Sequence, residues 1–221
     1  MASKKTAGRI KVGLAFLLIF GPAFLLVFIS TRSCEHKFKQ LPDYGEAASY
    51  SFVDVNGKTR NAKEFKGEII LISTLQPTCP NDCAVSLVNL KLQIYSMLRG
   101  KKGVRIISFV TDVDGNPVDD LSSTEAMLKD QVQGYDPELW ILAKGDPREV
   151  YDLKSGDKSL LEEMKKEGVG ENYGELMLLL DRSNHLRMIR PGNAEGMIRQ
   201  MKQHIALLKK EYDIKEHNAT H

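Results

Sequence analysis

Cys79 and Cys83 stand four residues apart in the stretch Pro77-Thr78-Cys79-Pro80-Asn81-Asp82-Cys83. Two thiols at this spacing can share one face of a helical turn. Such a pair can cycle between dithiol and disulfide, hold a soft ion such as Cu(I), or form a plain structural disulfide in an oxidising compartment. As a staple it would be weak, because closing so short a loop constrains the unfolded chain little. The stretch lies where a β-branched run gives way to a helical pattern, which puts the cysteines at a helix N-terminus. Unpaired N–H groups and the helix dipole favour the thiolate there, and the thiolate is both nucleophile and metal ligand. Asp82, next to Cys83, acts in the opposite direction.

The elements that must position this pair follow from local patterns. Tyr50 to Asn61 alternates around Asn56-Gly57, a strong short-range hairpin signal. Glu68 to Thr74 and Val104 to Val110 are short β-branched runs that predict buried strands. Between them, from about Asp82 to Leu98, Val85, Val88, Leu92 and Tyr95 recur at helical spacing. Ser122 with Glu125 predicts a capped helix to about Gln133, and Ser159 with Glu162 predicts another capping box. Leu139 to Ala143 reads as a third buried strand. Asp146-Pro147 opens a short helix with Asp as cap and Pro at its first position. Leu176 to Asp181 and His185 to Arg190 are strands joined by a turn at Arg182 to Asn184. Asn193 caps a last amphipathic helix to about Tyr212. Strands alternating with helices and closing on an antiparallel pair predict an α/β, thioredoxin-like fold with an N-terminal β-hairpin over residues 50–212. Residues 213–221 read as a flexible tail.

The chain has 221 residues, with 42% hydrophobic and 27% charged, which suits one ordinary domain plus extras. Its three cysteines are too few for a disulfide scaffold. The net charge of +2 is unevenly spread. Lys4, Lys5, Arg9, Lys11 and Arg32 lie in residues 1–34, which hold no acidic residue, and the remainder carries a net of −3. A mildly acidic domain gives no reason to propose nucleic acid as a partner. Val12 to Thr31 contains no charge, and a helix of that length spans roughly 30 Å, the thickness of a bilayer core. The sequence therefore predicts a transmembrane helix at 12–31 with a cytoplasmic N-terminus at 1–11, by the positive-inside rule. A linker at 32–49 would lead to a domain on the far side, in a bacterial periplasm. A cleaved signal peptide is the alternative reading, although no small-x-small site follows the apolar run.

Several motifs together resemble the SCO/SenC family of thioredoxin-like, copper-handling proteins. They are Leu41-Pro42-Asp43-Tyr44-Gly45, Phe52 to Gly57 followed by Phe65-Lys66-Gly67, and Thr78-Cys79-Pro80 through Cys83. Phe109 to Asp112, Trp140 with Gly145, and Leu178 to Asp181 complete the set. The likeness covers Leu41 to Lys210. It implies that Cys79 and Cys83 bind copper with one distant histidine, and that the protein delivers copper to, or reduces thiols at, the copper site of cytochrome c oxidase. The family's histidine falls eight residues before the residue that closes the late strand, and from Asp181 that position is Tyr173. No histidine lies between His36 and His185, and Ala84 stands where the family usually repeats a proline. Met177 is a soft auxiliary ligand in principle, or else a core residue by alternation.

Three functions remain open on the sequence. One is a copper chaperone or assembly factor. The second is a metal-free thiol-disulfide oxidoreductase acting on another thiol protein outside the cytoplasm, which needs only the cysteine pair and a partner disulfide. This chain has no proline between Pro147 and Pro191, where thioredoxin-type enzymes carry one before the late strand. The third is a scaffold that keeps the cysteines for structure.

Overall fold

Asp54 and Gly57 turn the chain back on itself at the start of the domain. The Asp54 carboxylate accepts the N–H groups of Asn56 and Lys58 at 2.9 and 3.0 Å, and Gly57 adopts φ +77°, which costs glycine little. The flanking strands β1 (Ser51–Asp54) and β2 (Thr59–Asn61) pair antiparallel, Phe52 opposite Arg60. The hairpin expected around Asn56-Gly57 is therefore present. The computed structural model describes residues 18–22, 24–25, 40–78, 85–151, 154–155, 158–159 and 173–219. It divides the chain into two compact units, 1–39 and 40–221. In the first unit, 18–22 and 24–25 are helical. Most of the expected membrane span at 12–31 lies outside the described residues, and no described helix is long and apolar enough to cross a membrane.

Strand β3 (Ile69–Leu75) is buried at every position. A helix follows at 87–98, here α1, then β4 (Val104–Val110), α2 (Ser122–Gln131) and β5 (Trp140–Lys144). Strands β3, β4 and β5 run parallel, with Leu75 opposite Val110 and Ile106 opposite Trp140. Short α3 (Pro147–Tyr151) precedes a two-residue hairpin, β6 (Lys154–Ser155) and β7 (Lys158–Ser159). Ser159 is thus in a strand rather than at a helix cap, and Glu162 lies outside the described residues. Strand β8 (Leu176–Leu180) returns antiparallel to β3, β9 (Leu186–Pro191) pairs with β8, and α4 (Glu195–Ala219) closes the chain. The sheet order is β2-β1-β5-β4-β3-β8-β9. This mixed sheet with helices on its faces is the thioredoxin-like arrangement expected.

Continuous apolar strands need cover on both faces, and the core accordingly has two parts. On one face Leu71, Leu75, Val110, Met177 and Leu179 meet Leu90, Ile94 and Leu98 of α1 and Ile198, Met201 and Ile205 of α4. On the other, Ile72, Phe109, Leu178 and Leu180 meet Phe52, Phe65 and Tyr151. Alternation along β8 divides its residues between the two, as the period of a strand requires. Each fully buried aliphatic side chain contributes roughly 1.5–3 kcal/mol relative to exposure.

Helix α1 departs from the expected stripe. Its first residue is Leu87, with Ser86 as N-cap accepting the Asn89 N–H. Leu90–Tyr95 is wound as a π-helix. The wider turn rotates the stripe, so Leu90, Ile94, Tyr95 and Leu98 are buried while Val88 and Leu92 are 49% and 57% exposed. The Ser122–Glu125 capping box is not formed. Asp120 takes the Ser122 N–H and hydroxyl at 2.8 Å each, and Glu125 pairs with Lys129. Asn193 likewise donates its amide to Glu175 at 3.3 Å.

Residues 40–49, expected as linker, belong to the folded unit. Tyr44 N–H donates to Leu186 O, Leu186 N–H to Gly45 O, and Ala47 N–H to Asn184 O, all at 2.9 Å. Leu41, Ala47 and Tyr50 are buried. Arg187 fastens this segment from below, donating to the carbonyls of Leu41 and Pro42 at 2.8 Å. The same guanidinium pairs with Asp181 at 3.0 Å and Glu211 at 3.2 Å, and its side chain is only 7% exposed. The expected tail also differs, because α4 runs on to Ala219. Arg182 holds that extension, stacking 4.5 Å over Tyr212 and pairing with Glu216.

Two outcomes follow for this region. Arg187→Met would leave Asp181 buried without its cation and Glu211 with Lys215 alone, and should lower the unfolding free energy by roughly 3–5 kcal/mol in urea titrations. At the surface, the hydrogen bond that His185 donates to the Asp43 carboxylate raises the pKa of His185, and the same bond holds Asp43 below the usual carboxylate range. The His185 contribution is complete below its unfolded value of about 6.5 and is lost as pH rises through its raised folded value. The Asp43 contribution is present above about 3.9 and is lost as pH falls through its lowered one. The urea midpoint of His185→Gln should therefore fall furthest below wild type between about pH 4 and 6.5, and converge on it in base.

Candidate functional site

The cysteine pair is bracketed by the strand end and the helix start. Cys79 and Cys83 themselves lie outside the described residues. Before them, β3 ends at buried Leu75, Gln76 and Pro77 are half-buried, and Thr78 is exposed. After them, buried Val85 and the N-cap Ser86 begin α1. Ser86 N–H donates to Gly192 O at 2.9 Å, and Gly192 N–H donates to Glu175 O at 2.6 Å. A Cβ on Gly192 would sit 2.7 Å from Val85 Cγ2, so only glycine admits the start of α1 this close to the end of β9. The strand order thus brings four chain segments to the sheet end from which the motif departs.

Tyr173, at the position of the family's histidine, is at this same end. The Thr74 hydroxyl, two residues before Gln76, bonds Gly174 O. The Tyr173 hydroxyl donates to Gly115 O at 2.8 Å and accepts from Arg148 Nε at 3.3 Å. Arg148 also donates to Asn116 at 3.1 Å and lies 5.7 Å over the Tyr173 ring. Gly115 has φ +81°, and a Cβ there would come 2.5 Å from the Tyr173 hydroxyl. The loop after β4 is tightened by Asp112, which accepts the N–H groups of Asp114 and Asn116. These bonds hold its carboxyl below the usual range, that to Asn116 most. Tyr151, whose ring is 6.0 Å from Tyr173, donates to Leu176 O at 2.7 Å, and burial pushes its phenol far up.

These contacts decide what the described residues offer a metal. The phenol of Tyr173 is a hard group whose proton is already given to Gly115. Met177 is fully buried among aliphatic side chains. The Glu175 carboxylate accepts from Asn193, and His185 is paired with Asp43 on a different edge. Among the described residues there is no group of three or more metal-binding side chains. They therefore do not fit a third soft ligand for Cu(I) beside the two thiols.

Two further polar groups were not singled out in the sequence. The Thr111 hydroxyl and Gln76 Oε1 are shielded from solvent and have no hydrogen-bond partner among the described residues. Period-two spacing from Phe109 is the signal that places Thr111 on the Tyr173 face.

A family model described as SCO1/SenC matches residues 39–208. Among solved structures, the chain is similar to BsSco, described as a member of the Sco family of cytochrome c oxidase assembly proteins with a disulfide switch. That likeness has 19% identity over 75% of this chain and 95% of that one, with a TM-score of 0.51. A SCO1/SenC family lipoprotein from Bacillus anthracis str. Ames is 20% identical over 75% and 98%, at 0.49. Arabidopsis thaliana ScoI, solved with copper bound, is 15% identical over 73% and 99%, at 0.47. A search of curated proteins finds no match.

The Tyr173–Gly115 contact is open to a double-mutant cycle. Gly115→Ala should cost about 1–2 kcal/mol from its left-handed backbone alone, and Tyr173→Phe about 0.5–1.5 kcal/mol. Because the two act on one contact, the double variant should lose less than the sum in urea unfolding.

Proposed function

Because this chain belongs to the SCO1/SenC family, we propose that it serves cytochrome c oxidase assembly by thiol–disulfide exchange at Cys79 and Cys83. The carrying observation is the commitment of Tyr173 to Gly115 and Arg148 at the position of the family's histidine. A dithiol exchange needs no third ligand. In that step the thiolate of one cysteine attacks a sulfur of the partner's disulfide and releases the partner's other sulfur as a thiolate. The second cysteine then attacks the mixed disulfide. The partner leaves with two thiols, and Cys79 and Cys83 are left joined, two electrons having passed to the partner. The start of α1, with Ser86 as cap, puts the positive end of a helix dipole beside the motif and favours the thiolate.

In this reading the partner is a copper-site subunit of cytochrome c oxidase, whose cysteines must be reduced before they accept metal. The uncharged stretch 12–31 anchors the chain in a bacterial inner membrane with the domain in the periplasm, where disulfides form. Delivery of Cu(I) as cargo is the second reading, and the Cys-x-x-x-Cys pair of soft ligands favours it.

Both readings are separated by one set of titrations on the full chain. Wild type, Cys79→Ser/Cys83→Ser and Tyr173→His are reduced and titrated with Cu(I) against a competing chelator. In parallel, wild type is equilibrated in glutathione redox buffers. The expected outcome is a two-electron couple for wild type, Cu(I) binding no tighter than in the double-serine variant, and a gain in affinity for Tyr173→His. Stoichiometric, tight Cu(I) binding by wild type that the double-serine variant loses would overturn exchange in favour of copper delivery.

A further inference from the structure

Two exposed lysines, Lys63 and Lys66, stand three residues apart on the 3-10 turn that follows β2. The turn spans Ala62–Phe65, and Lys66 closes it, its N–H donating to Lys63 O at 3.3 Å. Side chains three apart on such a turn stand one above the other, and like charges placed so repel. Neither ammonium has an ion pair or hydrogen bond among the described residues. Both side chains line a cleft of about 400 Å³, together with Ser49, Ser183, Asn184 and Glu46. The walls of this cleft are tied to one another. Ala47 N–H donates to Asn184 O at 2.9 Å, the Asn184 side-chain amide returns to Ala47 O at 3.2 Å, and Gly67 N–H donates to Arg182 O at 2.9 Å. Neighbouring carboxylates are already matched elsewhere: Asp43 by His185, Asp181 by Arg187, and Glu64 by Lys58 and Arg60. Glu46 is the one carboxylate that lines the cleft, against two ammoniums. The concavity is therefore preformed and carries an excess of positive charge, with the exposed hydroxyls of Ser49 and Ser183 as further donors. An oxyanion seated between the lysines would relieve their repulsion, and lysine serves phosphate as a point charge. At this volume the cleft also admits an organic substituent beside the anion.

We propose that this cleft binds the phosphate group of a phosphate ester, held between Lys63 and Lys66, with the Ser49 and Ser183 hydroxyls donating to its oxygens. Glu46 opposes the anion and limits the affinity. A soluble ester and the headgroup of an anionic phospholipid present the same chemistry to these groups.

The test is limited acetylation of the full chain in nanodiscs, read lysine by lysine by mass spectrometry, with Lys202 of α4 as the internal reference. An opposite charge within about 4–6 Å raises an ammonium's pKa by about one unit or more, so an anion in the cleft should slow acetylation of Lys63 and Lys66 about tenfold. Protection by glycerol 3-phosphate in phosphatidylcholine discs identifies a soluble ester as the ligand. Protection in phosphatidylglycerol discs, with no ester added, identifies a lipid headgroup. Because one anion serves both lysines, Lys63→Gln should remove the protection of Lys66. Glu46→Gln should lower the ester concentration needed. Both substitutions are at exposed positions, so the melting temperature should hold. If Lys63 and Lys66 acetylate at one unchanged rate relative to Lys202 in all three conditions, or if Lys66 stays protected in Lys63→Gln, the inference fails.

Discussion

The parallel pairing of β3 with β4 is the constraint on which the rest of the molecule depends. The two strands are aligned over their full lengths, from Ile69 opposite Val104 to Leu75 opposite Val110. All but one of their side chains are buried and most are apolar, so neither face can be left to water. Helices α1 and α4 must lie on one face, and α3 with the side chains of Phe52 and Phe65 on the other. Parallel strands also end together. The loops after β3 and β4, and the segment entering β8, therefore meet at one end of the sheet, and that is where the cysteine motif falls.

At that end the polar groups are apportioned in a definite way. Backbone carbonyls at Gly174, Gly115 and Leu176 take the hydroxyls of Thr74, Tyr173 and Tyr151. The position a histidine would occupy for copper is thereby turned toward the loop after β4 and locked by Arg148. The Tyr173 phenol, at the position of the family's histidine, is thus committed to Gly115 O and Arg148. The Thr111 hydroxyl and Gln76 Oε1, without partners among the described residues, are exceptions to this saturation. Violations of polar satisfaction tend to gather where function outweighs stability.

The opposite edge has another task. Arg187 gathers Asp181, Glu211 and the carbonyls of Leu41 and Pro42 around one buried guanidinium. It joins the incoming chain, the turn between β8 and β9, and the last helix. A planar cation with five donors can satisfy several acceptors in different directions at once. The segment that leads from residue 39 into the domain is consequently held by backbone bonds and an ion cluster, and it extends the sheet edge along β9.

Local sequence determined the strands, because their apolar content is set residue by residue. The IILISTL and VRIISFV runs, the Asn56-Gly57 turn and the Asp146-Pro147 helix start all appear where the pattern puts them. Sequence also offers Cys79 and Cys83 as a candidate pair before any fold is known. Tertiary structure decided what periodicity cannot encode. The π-wound turn in α1 exposed Val88 and Leu92, because helical spacing assumes a constant pitch. Residues 40–49 became part of the domain, because their partners on β9 and Arg187 lie some 140 positions away along the chain. Whether Tyr173 faces a metal or a carbonyl, and whether Thr111 has a partner, depend on which loops the sheet brings together. Those are long-range contacts, and no window of sequence contains both sides of them.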